Sequence, residues 1–265
     1  MSAREETPDR NRLAASDDSC RDVIARRRLR CARRLGILLL AVGALRVVSA
    51  IAAEAPADLP LVEAPVAAAG DTLVVLLTGD GGWAAMDRET AAAFVAAGVP
   101  VVGFDCLRYF WTRRTPEEAS AALARVIAHY TMAWKRSRVL LVGYSFGADV
   151  LPFLARRLPA ALLSRVELLA LIGPSPEANF EIHVADWLRD APAGGAQPLE
   201  PELHALRNRG PRILCLYGRD EPRSLCPRLA GGPVAVEAWP GGHHLDRDYG
   251  RVARRVLAEW GKQSP

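Results

Sequence analysis

No Cys/His spacing in this 265-residue chain reads as a zinc site, although it holds five cysteines and five histidines. No internal repeat is present, which sets aside solenoid and propeller arrays. The glycine-rich stretch "LTGDGGW" (77–83) lacks both the Gly-Lys-Ser/Thr ending of a P-loop and the Gly-x-Gly-x-x-Gly spacing of a dinucleotide site. Positive charge is also scarce where a fold would form. The formal charge is +4, but residues 1–52 hold 11 Arg against 6 acidic residues, and the remainder is net −1. The folded part therefore has no bulk electrostatic reason to bind nucleic acid. No metal or other cofactor is called for.

The N-terminal charge has another use. "RRRLRCARR" (26–34) precedes the apolar run "LGILLLAVGAL" (35–45), and small residues follow in "VSAIAAEA". Basic, apolar, then small is the order of a secretory leader, with cleavage expected near Ala50 to Ala53. An uncleaved anchor over 35–53 is the alternative. Either way, the basic flank keeps the N-terminus cytoplasmic and sends the domain across the membrane. The expected organisation is a leader over 1–53, a Pro/Ala-rich linker over 54–70 that leads into an edge strand, and one domain over 71–265. Cys215 and Cys226 bracket the short loop "CLYGRDEPRSLC", and in an oxidising compartment they are placed to bridge it.

Beyond residue 70 the pattern alternates. Apolar runs at 72–78, 99–105, 138–143, 166–173, 212–218 and 234–239 read as buried strands. Between them lie helical segments. One begins at Ala85 and ends at Gly98. Another has Thr115 as N-cap, Pro116 at the first helical position and Glu118 three residues after the cap. A third starts near Phe146 and should kink at Pro152, and a last one spans 248–260. Strands alternating with helices predict a mostly parallel sheet covered on both faces, with reactive groups at the carboxyl ends of its strands.

One strand runs straight into Gly143-Tyr144-Ser145-Phe146-Gly147 and then a helix, the context of a nucleophile elbow. A serine needs a base, and the base an orienting acid, in the chain order Ser, Asp/Glu, His. Both follow later strands: "YGRDEP" offers Asp220 and Glu221, and "WPGGHHLD" offers His243 and His244. Three residues beyond the strand-ending glycine points to Glu221, and four beyond Pro240 points to His244. Asp220 and His243 are the alternates. The backbone N–H groups of Asp80 and Phe146 are the expected oxyanion donors.

"DCLRYFWTRR" (105–114) fits neither helix nor strand periodicity. It is expected to wall the substrate site, with Tyr109, Phe110 and Trp111 against apolar parts and Arg108, Arg113 and Arg114 on a phosphodiester; the alternative is a loop packed onto the domain with its arginines in solvent. Asp149, four residues after Ser145, is placed to attract a cation. Glu181 and His183 lie in the excursion after the 166–173 strand, where a cap is expected, and are further candidate contacts.

With these residues in place, the chain resembles bacterial virulence-associated α/β hydrolases of the VirJ/AcvB type. The matching segments include "LTGDGGWAAMDR", "GVPVVGFDCLRYFWTRRTPEE", "RVLLVGYSFGADVLPF", "NFEIHVADW", "LCLYGRDEPRSLCP" and "PGGHHLDRDY", and they span roughly residues 70–260. Cys106 stands where the family is expected to have serine. AcvB-type proteins carry an additional N-terminal domain, and this chain reads as a single hydrolase domain. The resemblance implies an α/β-hydrolase fold with a short cap and a periplasmic location. It also implies, for AcvB-type members, hydrolysis of the membrane phospholipid lysyl-phosphatidylglycerol to lysine and phosphatidylglycerol. VirJ-type relatives add secretion-system proteins as expected partners, with a non-catalytic binding or assembly factor as the alternative function. A generic carboxylesterase or thioesterase is the other.

Overall fold

A computed structural model describes residues 56–182, 195–207 and 210–262, all within one unit, Ala52–Pro265. The expected leader and His183 lie outside the described residues.

The strands are β1 (Leu61–Ala64), β2 (Thr72–Leu77), β3 (Val101–Phe104), β4 (Arg138–Tyr144), β5 (Val166–Ile172), β6 (Glu177–Ala178), β7 (Gln197–Pro198), β8 (Arg212–Gly218) and β9 (Ala235–Trp239); the six apolar runs supply all but β1, β6 and β7. Seven of these strands make one sheet in the order β1-β3-β2-β4-β5-β8-β9. Only β1 runs antiparallel in it, paired with β3 from Leu61 opposite Phe104 to Ala64 opposite Val101. The 54–70 segment, expected to be a linker leading into an edge strand, itself holds the edge strand. Two long-range contacts pin it: the Tyr130 hydroxyl donates to Glu63, and Arg125 pairs with Asp58. Neither contact is readable from local composition.

The helices are α1 (Ala85–Ala96), α2 (Cys106–Tyr109), α3 (Pro116–Ala133), α4 (Phe146–Arg156), α5 (Ala160–Leu163), α6 (Glu200–Arg207), α7 (Cys226–Leu229) and α8 (Tyr249–Trp260). Because side chains alternate along a strand, β2 sends Leu73, Val75 and Leu77 into one apolar layer and Val74 and Leu76 into the other. The first layer packs beneath α3 and α4, through Leu123, Ile127, Leu151 and Phe153; the second packs beneath α1 and α8, through Phe94, Val252 and Val256. α3 opens as its sequence predicts. The Thr115 side chain accepts the Glu118 N–H, and the Glu118 carboxylate accepts the Thr115 N–H. α4 continues through Pro152 to Arg156, so the expected kink does not end it. The excursion after β5 carries the antiparallel β6–β7 pair and α6 among the described residues.

The chain adds β3 on one side of β2 and β4 on the other. Strand order therefore reverses at β2/β4, where α/β sheets place their ligands. The register sets Leu77 beside Gly143, Tyr144 beside Ile172 and Gly218 beside Trp239, which aligns the carboxyl ends of β2, β4, β5, β8 and β9 on one rim.

Candidate active site

Ser145 occupies the corner between β4 and α4 with φ +51° and ψ −120°, a conformation few non-glycine residues adopt. The flanking glycines are required by contact. A Cβ on Gly143 would lie 2.6 Å from the Gly147 carbonyl oxygen, and one on Gly147 would lie 2.6 Å from that of Thr78. The Ser145 N–H donates to Ile172 O at 2.9 Å and ties the corner to β5.

The Ser145 hydroxyl has one imidazole partner, His243, whose Nε2 lies 2.8 Å from Oγ. The other ring nitrogen, Nδ1, lies 2.6 Å from Glu221 Oε1. Glu221 follows β8 and donates its own N–H to Gly218 O. Asp220 is exposed at the same turn, and its N–H donates to Gly241 O, joining the acid loop to the histidine loop. The Cys215–Cys226 disulfide closes the acid loop from beneath.

The expected choice of His244 is corrected by this geometry. His244 is exposed, and its Nδ1 is hydrogen-bonded to the Tyr144 hydroxyl at 2.9 Å. The reason lies in the turn. Gly241 takes φ +81°, so the third residue after Pro240, not the fourth, reaches over the end of β5. Gly173 makes room for it: a Cβ there would lie 2.9 Å from His243 Cε1. The loop then turns through Leu245, Asp246 and Arg247 with φ of +50°, +51° and +60°, an unusual run of left-handed residues that buried Leu245 anchors.

Phe146 is the first residue of α4, where backbone N–H groups have no intrahelical acceptor and the helix end favours negative charge. The loop carrying Asp80 lies across from it. A Cβ on Gly79 would lie 3.4 Å from Ser145 Cβ, which places the two segments in close contact. A cleft of about 580 Å³ opens here. Its wall includes Asp80, Asp87, Tyr144, Ser145, His243 and Arg247.

The 105–114 segment is not part of that lining among the described residues, which corrects the expected substrate wall. Tyr109 and Phe110 are buried, and Phe110 stacks edge-on against Tyr109, Phe146 and Phe180. Arg114 lies over the Tyr109 ring, Arg113 pairs with Glu181 at 2.9 Å, and Arg108 borders a separate surface recess with Asp58 and Arg125. Trp111 stays exposed at 57%. Asp149 is also redirected. Its Oδ1 accepts the Ser175 N–H at 2.6 Å, bracing the loop after β5, and burial holds its carboxyl well above the usual range despite that bond.

Sequence reasoning missed Asp87, Tyr144 and Gly173. The one available signal was glycine at the end of a strand, "LIG", which marks a close approach. Among the described residues, no group of His, Cys, Asp and Glu is arranged to hold a metal ion.

A serine at a strand–helix corner on a mostly parallel, doubly covered sheet defines the α/β-hydrolase fold, and solved structures agree. The ferulic acid-bound Est1E from Butyrivibrio proteoclasticus matches with a TM-score of 0.52 at 12% identity, over 76% of this chain and 93% of that one. MenH from S. aureus matches with 0.54 at 13%, over 76% and 99%. The type II thioesterase BorB from the borrelidin biosynthetic cluster matches with 0.50 at 21%, over 76% and 95%. At these identities the likeness is one of fold. No curated protein matches the chain. Residues 71–264 match the family described as bacterial virulence protein (VirJ), and the chain belongs to that family.

Proposed function

We propose that this protein is an exported serine esterase that cleaves the aminoacyl ester of an aminoacylated phospholipid, lysyl-phosphatidylglycerol, giving lysine and phosphatidylglycerol. The observation that carries the esterase reading is the unbroken chain from Ser145 Oγ through both nitrogens of His243 to Glu221, at 2.8 and 2.6 Å. Ser145 attacks the ester carbonyl while His243 Nε2 takes its proton. Glu221 accepts the Nδ1–H and stabilises the imidazolium that forms. The N–H groups of Phe146 and Asp80 receive the oxyanion. Collapse breaks the ester C–O bond, and His243 returns the proton to the departing glycerol oxygen. Water, deprotonated by the same imidazole, then frees the amino acid and restores Ser145.

Three observations support the exported part of the reading. The family is one of bacterial virulence proteins. The disulfide fits an oxidising compartment outside the cytoplasm. The basic-then-apolar N-terminus fits export.

The test is release of free lysine from vesicles containing lysyl-phosphatidylglycerol. Wild type should release it, and Ser145→Ala should be slower by at least about 10³-fold. Equal, slow release by both would contradict catalysis and favour a binding or assembly role. Cleavage of short acyl esters without lysine release would favour a generic carboxylesterase or thioesterase.

A further inference from the structure

Asp87 lines the cleft beside Ser145 but has no part in the hydrolytic steps. It is the third residue of α1, and its Oδ2 accepts the N–H of Ala84 at 3.1 Å, which caps the helix. One oxygen suffices for that task. The side chain is 1% exposed, and its Oδ1 has no hydrogen-bond partner. A buried carboxyl oxygen without a donor is destabilising, so such an atom in the wall of a cleft marks an unmet interaction.

Its surroundings define what would meet it. Asp80 and Glu89 line the same wall, and Arg247 is the one Arg or Lys among the described lining residues. The Asp105 charge adds to the repulsion at Asp87, and Arg88 opposes it only weakly. An anionic group is disfavoured there. A neutral hydroxyl would satisfy the oxygen and leave the like charges uncompensated. A cation with N–H donors satisfies both. The wall is also close to the reacting centre along the chain, because the 79–82 loop across from Ser145 leads directly through Ala84 into the first turn of α1.

We propose that Asp87, with Asp80 and Glu89 around it, forms a subsite for a primary ammonium group on the acyl portion of the ester. The inference rests on the esterase reading and extends it, since it assigns the selectivity for an aminoacyl over a neutral acyl group to Asp87. The ammonium comes from the α-amino group or from a longer side chain, and the substrates chosen separate the two.

The experiment compares kcat/KM of the full-length chain on glyceryl esters of lysine, alanine and hexanoic acid. Asp87→Asn keeps an oxygen for the Ala84 N–H and removes the charge. The lysyl-to-hexanoyl preference should fall about ten- to a hundredfold in Asp87→Asn, the scale of one charge-assisted hydrogen bond. A parallel fall in the alanyl-to-hexanoyl preference assigns the subsite to the α-amino group, and its absence assigns it to the side chain. Unchanged preferences in a variant that still unfolds cooperatively and labels at Ser145 with a fluorophosphonate at the wild-type rate overturn the subsite alone. Wild type that neither labels at Ser145 nor cleaves any of the esters overturns the esterase reading and the subsite with it. Should Asp87→Asn fail to fold, wild type supplies the answer. Hexylamine should slow its labelling where hexanol does not, and equal effects overturn the subsite.

Discussion

Gly147 and Gly173 show how much of the site is decided by single missing side chains. One lets α4 press against the carbonyls that end β2, and the other lets an imidazole lie over β5. The first was legible, because a glycine two residues after a serine at a strand end has a known steric purpose. The second was not, because its partner lies 70 residues away in sequence. The choice between His243 and His244 was hidden for the same kind of reason. Two adjacent imidazoles are chemically equal, and the turn at Gly241, the room above Gly173 and the Tyr144 hydroxyl sort which one faces Ser145. Asp87 went unremarked because an acid in the first turn of a helix reads as an ordinary cap. Its burial raises its carboxyl from 3.8 to about 6. A carboxyl whose folded value is raised contributes stability that is complete below the unfolded value and lost as pH climbs through the folded one. Wild type should therefore lose on the order of 2–3 kcal/mol relative to Asp87→Asn between about pH 4 and 7. Urea melts across that range test it. Parallel curves for the two proteins would show that Asp87 does not titrate in this window.

At the scale of elements, legibility followed local chemistry. The buried strands and the Thr115–Glu118 cap announced themselves by continuous apolar runs and by a reciprocal pair of side-chain acceptors. The 105–114 segment did not. Three aromatics in a row with arginines around them match no period, so a surface wall was the natural expectation. Instead, α2 turns Tyr109 and Phe110 inward against Phe104, Phe146 and Phe180, which come from three other places in the chain. Their burial is a tertiary fact with no local signature. The acid loop is the element with the clearest test. Cys215 ends within β8 and Cys226 begins α7, so their bond fixes both ends of the segment that presents Glu221. In the chain-entropy view, opening a loop with a separation of 11 residues removes about 3 kcal/mol. The double variant Cys215→Ser, Cys226→Ser should melt lower by that amount and lose kcat more than KM, as Glu221 becomes less well held. Unchanged kcat at a lowered melting temperature would confine the bridge to stability.

At the scale of the whole molecule, the sheet acts as a registered platform. Residues 145, 221 and 243 meet because β4, β8 and β9 are parallel and end at the same rim. Fold class was readable from alternation, and the order Ser, acid, His from the motifs that end three of the strands. The depth and sign of the cleft were not, since its acidic wall joins α1 and the 79–82 loop and faces the turn before α8. The chain's formal charge of +4 gives no hint of that wall. The central claim is that His243 activates Ser145. Its most direct measurement is the rate of fluorophosphonate labelling, followed by mass spectrometry of the peptide containing Ser145, in wild type, His243→Ala and His244→Ala. The account predicts labelling at Ser145 in wild type, a slowing of at least about a hundredfold in His243→Ala and less than about tenfold in His244→Ala. Labelling of His243→Ala at the wild-type rate, or slowing confined to His244→Ala, would contradict it.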